Sequence, residues 1–270
     1  MYTEYQPSPK LASYIDKYWE FKGKPERGMH IRILPDGCSD FIFTLGEVAN
    51  PTDNSMIMQP YRSFFVGPMN KYSELVTYAD TVHMLGIRFH ACGLFRFMNL
   101  PLHELTNQRL NCNDLTTIFD PFFTERLCEQ PNLQSRINLI EELFIKKLSQ
   151  DFHPDRQVSF AVSQINQNQG KLSIQNLSED VCLCQRQLER KFKQFTGYSP
   201  KEYSRIVKFK HAVDLLRVNT SGDLFSIAVQ TGYYDLPHFT KEIKALSGNT
   251  PHSFLSLTSP QEITLTYLES

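Results

Sequence analysis

Apolar positions follow two different rhythms along this chain. Leu11, Tyr14, Ile15 and Tyr18 share one helical face behind Pro9, which predicts a helix over 9–19. Beyond Gly23 the runs shorten: His30–Leu34, Asp40–Leu45, Ser63–Val66, Ser73–Tyr78 and His83–Phe89 are apolar or alternating. Pro35-Asp36-Gly37, a Pro/Asn/Asp-rich loop at 50–55 and Gly67-Pro68 separate them, so they predict a small antiparallel sheet or half-barrel. Residues 91–98 read as helical and 104–130 as a mixture of short helices. From Pro131 the helical period is sustained, with Leu133, Ile137, Ile140, Phe144 and Leu148 spaced by four, three, four and four. That is an amphipathic helix of about five turns. Its apolar face suits either its own sheet domain or a dimer interface, and His153-Pro154-Asp155 ends it.

Helical spacing then continues to residue 256. Val158, Ala161, Val162 and Ile165 form one helix, stopped at Gly170; Ser173 caps the next, with Ile174, Leu177 and Val181. Cys184 stands at the cap of a third helix that runs to about Thr196. Ser199-Pro200-Lys201-Glu202 is a capping box that opens a connecting helix burying Tyr203, Ile206, Val207, Phe209, Val213 and Leu216. Ile227 and Ala228 lie in a short helix ending at Gly232, Tyr233 and Tyr234 make a turn, and Asp235 caps a helix with Pro237 in its first turn. Phe239, Ile243 and Leu246 form its buried face, and Gly248 ends it. Shifted back by 51 residues, these become Leu188, Phe192, Phe195 and Gly197, with Pro251 on Pro200 and Phe254 on Tyr203. Such a repeat spells two helix-turn-helix units in tandem, joined by one helix.

The fold class expected is therefore α+β, with a β half-barrel ahead of an all-α domain. Residues 1–130 form a β-rich sensor or dimerisation domain, 131–153 an amphipathic linker helix, 154–258 the tandem domain and 259–270 a tail without fold signal. Charge sharpens this division. The chain carries a net charge of −1, yet residues 155–258 hold 13 Lys+Arg against 9 Asp+Glu. Basic charge thus gathers, modestly, where the repeats lie. Six cysteines show no zinc-finger spacing and read as reduced thiols in a cytoplasm. No apolar run of membrane-spanning length and no secretory leader is expected, so neither is a membrane partner.

Two such units held about one helical repeat apart (roughly 34 Å) would read successive major grooves of double-stranded DNA. On the first unit Gln185, Arg186, Glu189, Arg190 and Lys193 stand opposite the buried face; on the second, Thr240, Lys241 and Lys244 do. An arginine can grip guanine bidentately for about 1–3 kcal/mol of discrimination. Lysines and first-turn N–H groups hold phosphates and fix register. Gln185, Lys193 and Lys244 are assigned to the DNA backbone.

The stretches CQRQLERKFKQFTGYSPKEY and IAVQTGYYDLPHFTKEIKALSGNTPHSF, with Lys208-Phe209 and Leu215-Leu216, resemble the DNA-binding domain of the AraC/XylS family of bacterial transcription regulators. The resemblance implies that Arg186, Glu189 and Arg190, and Leu236, Pro237, Thr240 and Lys241, face base edges. It departs at Cys182 and Cys184, where the family often has glycine and serine, which predicts a weaker first turn and cap. Leu236 and Pro237 donate no side-chain hydrogen bond, so the first helix is expected to dominate specificity.

Leu34-Pro35-Asp36-Gly37-Cys38-Ser39-Asp40, Val66-Gly67-Pro68 and Gly86-Ile87-Arg88-Phe89 with Gly93 resemble a cupin-like sensor or dimerisation module often found ahead of such domains. Tyr61, Phe64, Phe65, Tyr72, Tyr78 and Arg88 are candidate lining residues for a small-molecule effector of unknown kind; an ordinary aromatic core fits them as well. His30, His83 and His90 lack the spacing of a metal site, and no metal, cofactor or catalytic set is assigned. The function expected is a sequence-specific transcription regulator, an activator and homodimer, with RNA polymerase as a further partner and no enzymatic activity. The alternative is a cupin-like enzyme or metal-binding protein with a DNA-binding appendage.

Overall fold

Where a helix was expected over 9–19, the chain makes a single turn (the Ile15 N–H to the Leu11 carbonyl, 2.9 Å) and enters a strand. The computed structural model describes residues 2–53, 56–98, 100–115, 118–149, 155–218, 223–255 and 262–265. The N-terminal strands are β1 (Tyr2–Tyr5), β2 (Ile15–Gly23), β3 (Met29–Ile33), β4 (Ser39–Thr44), β5 (Asn50–Pro51), β6 (Ser63–Val66), β7 (Ser73–Thr77), β8 (Val82–Phe89) and β9 (Arg109–Asn111). A late strand, β10 (Glu262–Leu265), pairs parallel with β3, inside a stretch that carried no fold signal. One sheet runs β1-β2-β8-β4-β6-β9 and a second runs β10-β3-β7-β5.

The period misleads in β2 because both of its faces are covered. Tyr18 enters a core of Phe41, Phe43, Phe65, Leu85, Ile87 and Phe89, on the side of the helices. Trp19 and Phe21 enter the core shared with Met29, Ile31 and Leu75 of the second sheet. Lys17, just ahead of Tyr18 and also buried, is held by Glu4 on β1 at 2.9 Å. The expected helix over 91–98 shrinks to one 3-10 turn at Leu94–Arg96, and the 104–130 segment includes β9 besides α1 (Phe123–Glu129).

Helix α2 (Leu133–Lys147) buries Ile137, Ile140 and Phe144 in the N-terminal core, so its apolar face packs on its own domain. Asn132 caps it. Gln150 to Pro154, with most of the expected boundary, lie outside the described residues.

The remaining helices are α3 (Arg156–Gln167), α4 (Ile174–Asp180), α5 (Gln185–Thr196), α6 (Pro200–Val218), α7 (Leu224–Gln230), α8 (Leu236–Ser247) and α9 (His252–Leu255). Two cores serve them. Val158, Leu177, Leu188, Phe192 and Ile206 fill the first, and Phe209, Leu216, Ile227, Phe239 and Ile243 the second. Helix α6 contributes to both, because Tyr203 and Ile206 lie a turn before Phe209 and Val213. Neither core is closed by its own domain alone. Leu34 joins the second and Ala91 the first, both from the N-terminal domain.

Candidate nucleic-acid interface

The two helix-turn-helix units are built alike from their caps outward. Asp235 accepts the His238 N–H at 2.7 Å and starts α8; Gln187 reaches back to accept the Cys184 N–H at 3.2 Å at the start of α5. At the other ends Gly197 (φ 83°) and Gly248 (φ 75°) take the left-handed conformation that closes an αL stop. Just before each, Thr196 and Ser247 bond their hydroxyls back to the carbonyls of Phe192 and Ile243, at 2.7 and 2.6 Å. The capping box of α6 forms as its sequence predicts, Ser199 N–H to Glu202 at 2.8 Å and Glu202 N–H to Ser199 at 3.2 Å.

The turns are not alike. α7 stops at Gly232 (φ 78°) and four residues, 231–234, lead to α8. α4 is followed by only three before its cap, and Cys182 (φ 54°) takes the left-handed position. Tyr233 turns inward, against Phe239 at 5.2 Å between ring centres, while Tyr234 is 91% exposed.

Of the residues expected at DNA, Gln185, Arg186, Glu189, Arg190 and Lys193 are all exposed on α5, opposite buried Leu188 and Phe192. Pro237, Lys241 and Lys244 are exposed on α8. Leu236 and Thr240 are half-buried, and Leu236 packs against the second core, so α8 offers fewer free side chains than α5. Two ion pairs that the spacing did not reveal hold these helices from behind. Lys191 on α5 meets Asp155 at 2.6 Å and Gln157 at 3.0 Å. Glu242 on α8 meets Arg205 on α6. Positions 191 and 242 are equivalent in the repeat, with the sign of charge reversed.

The aromatic residues proposed around an effector scatter. Phe65 lies in the helix-side core and Phe64 between the sheets; Tyr61 and Tyr78 are exposed, and Tyr72 faces α8. Only Arg88 lines the cavity between the sheets, a space of about 60 Å³ with Tyr2, Trp19, Met69, Met84 and Arg109 around it. Arg88 meets Asp40 at 3.2 Å and Asp36 at 3.1 Å, and Trp19 donates to Asp40 at 2.8 Å. Burial pushes the Asp40 carboxyl up while Arg88 pulls it down; burial would lower Arg88, and its two carboxylates hold it well above its ordinary value. Asp36 and Asp40 are thus both tied to one guanidinium. His83 is engaged by Glu20 at 2.8 Å. Among the described residues no three His, Cys, Asp or Glu side chains gather as metal ligands. Burial raises the thiols of Cys38, Cys92 and Cys128, and that of Cys112 to about 12. None of the described helices is long and apolar enough to cross a membrane.

Comparison with known proteins agrees with this geometry. Residues 177–256 match a family described as a helix-turn-helix domain, and residues 3–111 a domain of unknown function. The HTH-type transcriptional regulator ArgR of Pseudomonas aeruginosa is 31% identical over 80 residues, 30% of this chain and 24% of that protein. The lactose operon transcription activator of Staphylococcus xylosus is 31% identical over 102 residues, 36% of each chain. This chain therefore spans about a quarter to a third of those relatives. In fold it is similar to ToxT from Vibrio cholerae, with a TM-score of 0.50 at 11% identity over 88% of this chain and 97% of that one. The C-terminal part of this chain, over residues 177–256, is a helix-turn-helix domain, set behind an N-terminal antiparallel sheet domain in a ToxT-like α+β architecture.

Proposed function

We propose that the chain is a sequence-specific transcription regulator, an activator, that lays α5 and α8 into successive major grooves of one duplex. The observation that carries this is the pair of recognition helices, each capped at its start and stopped at a left-handed glycine, each burying one face and presenting basic side chains on the other. Arg186 and Arg190 read bases, Lys241 faces base edges beside them on the second unit, and Gln185, Lys193 and Lys244 hold the DNA backbone. A second copy of the chain, RNA polymerase, a small effector and a cytoplasmic setting belong to the same reading. The cavity between the sheets is the place for an effector, which must widen it, since ligand pockets run to about 300 Å³ or more.

The test is selection from a random-sequence duplex pool with the full chain. An enriched motif is expected. Arg186→Ala and Arg190→Ala should each cost about 1–3 kcal/mol at one position of that motif and relax its preference. Lys193→Ala should weaken all duplexes alike and lower the salt slope by about one. No enriched motif, or identical behaviour of the arginine and lysine variants, would overturn the reading.

A further inference from the structure

Both recognition helices end against one short stretch of the N-terminal domain. Residues 67–72 join β6 to β7 and so cross from one sheet to the other. In the first unit Gly197 lies on Pro68, so closely that a methyl group on the glycine would sit 2.6 Å from Pro68 Cγ. The next residue, Tyr198, is buried and donates its hydroxyl to the Met69 carbonyl at 3.0 Å. In the second unit Gly248 lies on the Tyr72 ring, where a methyl group would sit 2.7 Å from Cζ. The next residue, Asn249, accepts from Arg32, whose guanidinium stands over the same ring at 5.4 Å. Positions 197 and 248 are equivalent in the repeat, and so are 198 and 249. The two units are therefore held at the same two positions: Gly197, Tyr198 and Gly248 meet the loop itself, and Asn249 meets Arg32 of β3, which stands over the loop's Tyr72.

We infer that Pro68, Met69 and Tyr72, together with Tyr198, are positioning residues for DNA reading: they fix how far apart, and at what relative rotation, α5 and α8 meet the duplex. The chain between the units is a single helix, α6, and one link leaves a swing between two bodies. Two further points of contact on a common support remove it. The contacts have no slack, because at each one a glycine already meets a ring or a proline with no room for a Cβ. Spacing matters at the level of one base pair, which displaces the next groove by roughly 3.4 Å and turns it by about a tenth of a revolution. The same loop borders the cavity between the sheets: its Met69 lines that cavity beside Val66 of β6 and Leu75 of β7, so a molecule that widens it bears on the loop. This rests on the DNA-binding reading above and names how that interface is regulated.

The test uses the full chain and the duplex it selects from a random pool, with one base pair inserted or removed between the segments read by α5 and α8. Wild type should lose about tenfold or more in affinity on either change. Tyr72→Ala, at a ring that is 37% exposed, and Tyr198→Phe, which deletes one hydroxyl, should leave the fold intact and shrink the loss to about threefold or less. A wild type indifferent to spacing, or variants with its ratio unchanged, overturns this inference alone. A wild type that selects no duplex removes the DNA-binding reading and this inference with it.

Discussion

Cys182 and Gly232 occupy the same left-handed position at the ends of α4 and α7, and only one of them is suited to it. An L-residue in that conformation costs roughly 1–2 kcal/mol, which glycine avoids at an entropic cost of about 0.5–1 kcal/mol. The exposed Cys182 side chain offers no burial in return. Cys182→Gly is therefore expected to stabilise the chain by about 0.5–1 kcal/mol, read as a higher urea midpoint at unchanged slope. An unchanged or lower midpoint would mean that the first turn is held by something other than its backbone. The outward positions differ between the units in another way. Arg186 and Glu189 correspond to Pro237 and Thr240, whereas the inward Leu188 and Phe192 correspond to Phe239 and Ile243. Packing constrains the inward set in both units, and the outward set, which lies outside both cores, is left to differ.

At the scale of elements, each recognition helix is braced by one ion pair, and the two pairs have opposite polarity. Lys191 leans on Asp155, which also caps α3 by accepting the N–H groups of Gln157 and Val158 at 3.0 and 3.1 Å. Glu242 leans on Arg205 of α6, whose side chain is 41% exposed. Solvent screening at that exposure keeps the pair's worth to about 0.5 kcal/mol. Glu242→Lys should cost somewhat more than that, because it also sets two cations side by side. Adding Arg205→Glu should recover most of the loss, and a urea double-mutant cycle measures the coupling. No recovery would show that the two side chains act independently. Elements of this local kind were the legible part of the sequence. Caps, glycine stops and the 51-residue shift are all written within a few residues of where they act, and α3 to α8 follow them closely. The 9–19 segment failed because Tyr18 and Trp19 are buried on opposite faces of β2, which erases the alternation that marks a strand. The effector residues scatter for a related reason: aromatic character decides neither which of two cores receives a ring, as Phe64 and Phe65 show, nor whether it is buried at all, as Tyr61 and Tyr78 show. The bracing pairs and the 67–72 loop stayed hidden because their partners are remote in sequence, and no period encodes them.

For the whole molecule, the division into domains seen along the chain is not a division into independent cores. Leu34 completes the core of the second helix-turn-helix unit, Ala91 that of the first, and Phe195 of α5 packs tilted against Phe95 with ring centres 4.2 Å apart. Thr106 adds a hydrogen bond from its hydroxyl to the Gly197 carbonyl at 2.9 Å. Detaching the N-terminal domain would expose these apolar groups, and that cost couples the two halves. The full chain should accordingly melt in one calorimetric transition, with calorimetric and van't Hoff enthalpies equal. Phe195→Ala tests the coupling directly. A fully buried phenylalanine costs about 3–5 kcal/mol to truncate, and half-burial reduces that to about 2 kcal/mol. For a chain of this size the loss lowers the Tm by roughly 4–8 °C. If the interface carries the cooperativity, the variant's transition should also broaden towards two components, the helical domain separating from the sheet domain. Two resolved transitions in the wild type, or a Phe195→Ala variant that melts like it, would show that the halves unfold independently and that this interface holds nothing together.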